Sequence, residues 1–321
     1  MGVFGCGKVI LFGEHAAVFG HPALAAALSI GVEVTDAVPD DLDISLHVSP
    51  WGTRTTPGDG TRMGESLARI LAAVEGDCGP VRPTRISMTS NVPLGAGLGS
   101  SAALAVATAR QLILLSTSPP TDPTDLILRA AAASEQVFHG NPSGVDHTTS
   151  TLGGVLDFQR HRTPAFLKIN APPLPLIIAQ MAEGADTGQM VAGVAARREA
   201  LPGPVDALLG LLGDLALRAR APLMAGDGPA LGLLMDLAHG ALAAIGVATE
   251  ALDRGCHAAR GAGAWGAKLT GAGGGGCIIC VSPEDRRGAI RAALEAAGAL
   301  EIITTDAGFD PNAPRGAQAE P

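Results

Sequence analysis

The chain has 321 residues, 47% of them hydrophobic and 17% charged, which is enough for about two domains and a core that folds without staples. Its net charge is -9, and its 22 Lys and Arg residues lie scattered among 31 Asp and Glu, which excludes a nucleic-acid footprint. No stretch approaches the roughly 18 consecutive apolar residues of a membrane-spanning helix, and residues 1–8 hold no apolar leader with a cleavage site, so a soluble chain in the cytoplasm is expected.

In chain order, short β-branched runs at 8–12, 31–35, 42–47 and 85–91 predict strands, and helical spacing marks 63–74 and 101–115. A Pro- and Thr-rich stretch, 116–123, gives way to an Ala-rich helix from 124 to about 139. Strand-like pieces after Leu152 end near 174–179, and a long helical region, 188–260, is broken at Pro202, Gly203 and 226–229. Ser282, Pro283 and Asp285 predict a helix start, with the Ser side chain as cap and Pro at the first helical position. The tail from 310 to 321 has little to bury and is expected to be mobile. Strands and helices do not alternate strictly, so the fold class is α+β, with a second domain starting near residue 170. The odd count of five cysteines includes Cys277 and Cys280 within an apolar Cys-Ile-Ile-Cys run, which reads as a buried strand more readily than as half of a zinc site.

Three glycine-bearing segments carry the chemistry. The first, Pro93-Leu-Gly-Ala-Gly-Leu-Gly-Ser-Ser-Ala102, follows a strand and runs into an Ala-rich helix. Glycines there let the backbone approach a ligand, and the helix start offers unpaired N–H groups to an anion without calling on many basic residues. It is neither a Walker loop, since no Gly-Lys-Ser or Gly-Lys-Thr follows, nor a dinucleotide fingerprint, and alone it could be only a tight connection. The second, Lys268-Leu-Thr-Gly-Ala-Gly-Gly-Gly-Gly-Cys277, implies close backbone approach to a ligand or a flexible hinge. The third, Gly7-Lys-Val-Ile-Leu-Phe-Gly-Glu-His15, brackets an apolar strand with a lysine and a Glu-His pair, which are either solvated ends or parts of a site.

In order and spacing, these segments together resemble the three motifs of the GHMP kinases, and their wording is most similar to the mevalonate kinase family. Galactokinases typically follow Glu-His with Asp-Tyr, which is absent here. Also similar are His139-Gly-Asn-Pro-Ser-Gly-Val-Asp146, and the stretch from Met235 through Asp253 into Lys268. The resemblance implies a two-domain α+β GHMP kinase fold, 1–170 binding ATP and 171–321 completing the cleft, with the active site between them. It implies Asp146 as catalytic base, Lys8 as its cationic partner, and Ser101 with Glu135 as ligands of Mg2+. Pro93, Gly95, Ala96, Gly97, Leu98, Gly99, Ser100 and Ser101 would cradle the ATP phosphates. Glu14, His15, Thr187, Gly271, Ala272 and Gly273 would face the substrate, mevalonate, with Thr187 placed through Val191-Ala-Gly-Val194.

Chemically, a carboxylate can take the proton of an attacking hydroxyl while a nearby ammonium keeps it ionised, and Mg2+ needs few protein oxygens beside the phosphates. Outside its motif Asp146, after Gly144, would read as a helix cap, and Glu135 with His139 as a surface pair. One departure from the family is Gly-Cys-Gly-Lys at the opening, where a Pro is usual before the Gly. The region after Val38, where relatives contact adenine, is too divergent to assign. Members often dimerise, so a homodimer is compatible with the resemblance. Rival readings are a related kinase acting on a sugar or homoserine, and a catalytically silent binder of small ligands; an oxidoreductase fails on fingerprint and topology.

Overall fold

The protein is described by a computed structural model covering residues 3–139, 143–163 and 165–312. Its elements run β1 (Phe4–Phe12), a 3-10 turn (Ala16–Phe19), β2 (Ala23–Pro39), β3 (Ser45–Ser49), β4 (Thr53–Thr55), α1 (Arg62–Cys78), β5 (Thr84–Ser90), α2 (Ser100–Leu115), α3 (Thr124–His139) and α4 (Val145–Leu152). There follow β6 (Val155–Phe158), β7 (Phe166–Ile169), β8 (Leu174–Gln180), α5 (Thr187–Ala200), α6 (Pro202–Ala225), α7 (Gly228–Ala244), α8 (Glu250–Gly261), β9 (Gly266–Leu269), β10 (Cys277–Val281), a second 3-10 turn (Glu284–Arg286), α9 (Arg287–Ala296) and β11 (Glu301–Ala307). This is an α+β architecture. Among the described residues no helix is long and apolar enough to cross a membrane.

The strands form one mixed sheet in the order β4-β3-β5-β2-β11-β8-β10-β9, with β1 and β6 also paired to β2. All pairings are antiparallel except β3 with β5. The two halves of the sheet meet at a narrow seam, Ala307 opposite Leu28, reinforced by Gly308 N–H donating to Ala27 O at 2.8 Å and by the Ser29 and Thr305 hydroxyls at 2.9 Å. One core fills the space under α1, α2 and α3 with Leu67, Ile70, Ile86, Met88 and Leu112. The larger core joins Val9, Leu11, Phe12 and Leu28 to residues of α6, α7, α8 and β8–β11, so it draws on both sides of residue 170.

Several expectations are corrected by tertiary context. The strand expected at 31–35 extends over Ala23–Pro39. Its first six residues, Ala-Leu-Ala-Ala-Ala-Leu, carry helix propensity, but they are buried on both faces between β1 and β6, and pairing decides the conformation. The strand expected at 42–47 begins only at Ser45, since Leu42 is exposed. Ser282 caps nothing: Pro283 is extended, a 3-10 turn follows without a side-chain cap, and α9 starts at Arg287. The breaks near 202 and 226 stand, with Pro202 opening α6 and Gly226 in the left-handed region closing it. A further break, unforeseen, falls at Gly246 between α7 and α8.

The stretch beginning at 310 is tied down where it is described. Asp310 pairs with Lys168 at 2.7 Å, the Asn312 side chain accepts from Arg110 at 3.2 Å, and Phe309 packs edge-on against Phe4. Residues 313–321 lie outside the described residues. Cys277 and Cys280 sit in the fully buried β10, where burial pushes both thiols up to about 12, as befits core residues rather than ligands.

Small residues let β1 and α2 approach closely. A Cβ on Gly5 would lie 1.9 Å from Ala103 O and 2.9 Å from Ala107 N. Gly5→Ala therefore forces β1 off α2 and is expected to destabilise by about 1–3 kcal/mol, read as a lower urea midpoint without loss of cooperativity.

Candidate active site

The first glycine loop is built on alternation. Ala96 and Leu98 are buried and anchor it, while Gly95, Gly97 and Gly99 adopt left-handed φ of 71°, 78° and 75°. Their backbone lies against Lys8: Lys8 N–H donates to Leu98 O at 2.9 Å, Lys8 Nζ donates to Gly97 O at 3.1 Å, and a Cβ on Gly99 would sit 2.7 Å from Lys8 Cγ. Ser100 and Ser101 begin α2, whose first N–H groups cap the loop with a partial positive charge.

At the next corner, Gly144 in the left-handed region starts α4, and Asp146 falls in its first turn. Asp146 Oδ2 stands 3.3 Å from Lys8 Nζ, with Lys8 almost wholly buried and the Asp146 side chain 29% exposed, so the carboxylate is the solvent-facing member of the pair. His147, the next residue, turns away to α3, where its Nδ1 donates to Glu135 Oε2 at 2.5 Å. Glu135 is buried, and its Oε1 has no hydrogen-bond partner. The side chain of His139 and residues 140–142 of this motif lie outside the described residues, so the expected face shared by Glu135 and His139 does too.

The second glycine loop closes over the end of β1. Lys268 Nζ donates to Glu14 Oε1 and, at 2.7 Å, to Leu269 O, and both charged side chains are fully buried. Burial pushes the Glu14 carboxyl up from its ordinary value, opposed by the Lys268 ammonium beside it. His15 takes φ 57°, the one positive φ outside glycine among the described residues. Its Nε2–H donates to Ala272 O at 2.8 Å, which leaves Nδ1 buried without a partner. Burial lowers the His15 pKa, so this imidazole is neutral, with Nδ1 left as a free acceptor. The Thr270 hydroxyl donates to Ile10 O at 2.9 Å.

The run of glycines serves mainly the chain's own packing. A Cβ would lie 2.3 Å from Val247 O at Gly273 and 2.1 Å from Glu183 O at Gly275, whereas Gly271 faces open space. Residues 182–186 thus pack against the second loop, and they also reach the first, since a Cβ on Gly184 would be 2.4 Å from Gly95 O. Thr187 follows at the exposed start of α5, where Asp186 caps the helix through Gln189 N–H at 2.8 Å.

The structure therefore gathers Lys8, Asp146 and residues 95–99 at one point and Glu14, His15 and Ala272 at another, with 182–186 bridging the loops. Sequence reasoning missed the pairings made by Lys268 and His147. Lys268 stood inside a motif as its visible signal; His147 had none beyond adjacency to Asp146. It also missed His239, which accepts from Leu269 N–H at 3.3 Å, meets Asp253 at 3.0 Å, and so backs the strand carrying Lys268. Among the described residues there is no group of three or more His, Cys, Asp or Glu that could hold a metal by themselves. Glu135 with its open oxygen and Ser101 at a helix start offer instead a partial set of hard donors.

Two outcomes are expected from this geometry. Lys268→Met leaves a buried, unpaired Glu14 and is expected to cost about 3–5 kcal/mol, most of which returns in the Glu14→Gln/Lys268→Met double variant, measured by urea denaturation. Burial lowers the pKa of both His15 and His239 from the ordinary 6.5, so the unfolded chain binds more protons between the lowered values and 6.5, and stability falls as pH drops through that interval. Urea midpoints at about pH 7.5 and about pH 5.5 should show this loss, and His239→Gln should reduce it.

The chain matches the family model for the GHMP kinases N terminal domain over residues 65–154 and that for the GHMP kinases C terminal over residues 205–300. A mevalonate kinase of Thermococcus sibiricus is 33% identical over 319 residues, covering 92% of this chain and 93% of its own. One of Pyrococcus furiosus is 33% identical over 324 residues at the same coverage. The crystal structure of L. major mevalonate kinase in complex with R-mevalonate superposes with a TM-score of 0.82 at 26% identity, covering 98% of this chain and 97% of that one. The Methanococcus jannaschii mevalonate kinase shares the fold, with a TM-score of 0.83 at 23% identity over 96% of this chain and 98% of its own. With similarity to named relatives running through nearly its whole length, the chain belongs to the mevalonate kinase family of the GHMP kinases.

Proposed function

We propose that the protein is a cytoplasmic kinase that transfers the γ-phosphoryl group of ATP to the 5-hydroxyl of mevalonate, giving 5-phosphomevalonate and ADP. The observation that carries the mechanism is the Lys8–Asp146 pair, 3.3 Å apart beside the first glycine loop. Its partly exposed carboxylate can take the hydroxyl proton as that oxygen bonds to the γ-phosphorus and the bond to the β-phosphate oxygen breaks. Lys8 offsets charge developing on the transferred group, in a position fixed by Gly97 O.

The remaining roles follow from the donors on hand. Pro93 to Ser101 surround the phosphates, the residues after Pro93 through backbone N–H groups and the start of α2, which suits an acidic protein with few cations to spare. Glu135 and Ser101 are the protein ligands of Mg2+, which when bound neutralises phosphate charge. The fit rests on the partnerless, buried Glu135 Oε1. His15, neutral and with Nδ1 unpaired, accepts a substrate hydroxyl, while Glu14, Thr187, Gly271, Ala272 and Gly273 shape the substrate side. In this reading residues 1–170 hold the nucleotide and 171–321 complete the cleft.

Asp146→Asn tests the base. It keeps the volume and removes the proton acceptor, so kcat in a coupled ADP-release assay is expected to fall about 10²–10⁴-fold while ATP affinity stays within about threefold. Mevalonate, galactose and homoserine are to be run side by side on the wild-type protein. Turnover with galactose or homoserine alone would overturn the substrate and leave the kinase chemistry standing; undiminished turnover in the variant would overturn the base.

A further inference from the structure

We infer that His147 is the positioning residue that aims Glu135 at the nucleotide's magnesium ion, an inference that rests on Glu135 being a metal ligand. The two side chains come from different helices, α4 and α3, and are both buried. His147 Nδ1–H takes one oxygen of the carboxylate, Oε2, at 2.5 Å. The other, Oε1, is buried with no protein partner.

That asymmetry is the argument. An unsatisfied buried carboxylate oxygen is costly and calls for a partner; Glu14 Oε2 also lacks one, but Glu14 is held by the fully buried Lys268, whereas Glu135 is held by the residue next to Asp146. Here the bond to His147 pins the carboxylate and presents the second oxygen as an open hard donor, which is what a divalent cation held otherwise by phosphates requires. The neighbouring Ser134 takes no part, since its hydroxyl pairs with Ser66 at 2.6 Å on α1.

Helix geometry links this clamp to the reacting centre. Consecutive residues on a helix point about 100° apart, so the first turn of α4 sends Asp146 to Lys8 and His147 to Glu135 at once. One backbone turn therefore sets the base and the metal ligand in a common frame. Partners of this kind, hydrogen-bonded to a ligating carboxylate, typically change metal affinity 10–100-fold when removed.

The test is a titration of the β,γ-imido analogue of ATP by calorimetry, in EDTA and across a Mg2+ series, on the full chain. His147→Ala and His147→Leu remove the donor without and with its volume, so a folding failure of one leaves the other. Both are expected to raise the Mg2+ concentration for half-maximal nucleotide binding by about tenfold or more, with affinity in EDTA changed less than about twofold. His147→Asn, whose amide can still donate, should recover most of the loss. Equal weakening with and without Mg2+ would mark His147 as merely structural and overturn the inference. If Glu135→Gln shifts the Mg2+ requirement and the donorless His147 variants do not, positioning fails while the ligand stands; if Glu135→Gln shifts nothing, the ligand reading itself falls.

Discussion

The buried contact between Lys268 and Glu14 is the constraint on which the site depends. Two opposite charges with no solvent exposure are worth keeping only in good geometry, because neither tolerates the interior alone. Lys268 satisfies this by bonding Glu14 and Leu269 O together. The pair therefore acts less as a source of stability than as a register pin: the second glycine loop can sit on the end of β1 in one place. From that placement follow the bond from His15 to Ala272 and that from Thr270 to Ile10. Both span the junction between the first and last parts of the fold.

Around that pin the electrostatics are economical. In an acidic protein, one lysine, Lys8, stands at the first glycine loop, and the proposed reading leaves most of the anion's binding to backbone N–H groups. Glycine is needed at Gly99 for two reasons that coincide, a left-handed φ and the close passage of the Lys8 side chain. The result is a loop whose shape is set by the lysine packed against it. Substitution there would disturb backbone and cation together.

What could be read in advance divides along physical lines. Strands at 8–12 and 85–91 and helices from 101 and 124 were legible because local periodicity and tertiary pairing agree. The first part of β2 was not, since Ala-rich sequence favours a helix and only its burial between β1 and β6 makes it a strand. The glycine segments were legible as places of close backbone approach, yet at Gly273 and Gly275 that approach is to Val247 and Glu183, which no local pattern announces. Lys8 and Asp146 stood out through their motifs. The partners of Glu14 and Glu135 did not, because side-chain contacts separated by 254 and 12 residues leave no periodic trace.

The span of the Lys268–Glu14 contact also orders events during synthesis. At about 5–20 residues per second, the 254 residues between them take roughly 10 to 50 seconds to follow Glu14 out of the ribosome. Through that interval Glu14 lacks the ammonium that bonds it in the fold, so hydration is its alternative, while the residues of the core under α1, α2 and α3 have already emerged. The last glycine loop to emerge is thus the one that carries the partner of the buried Glu14.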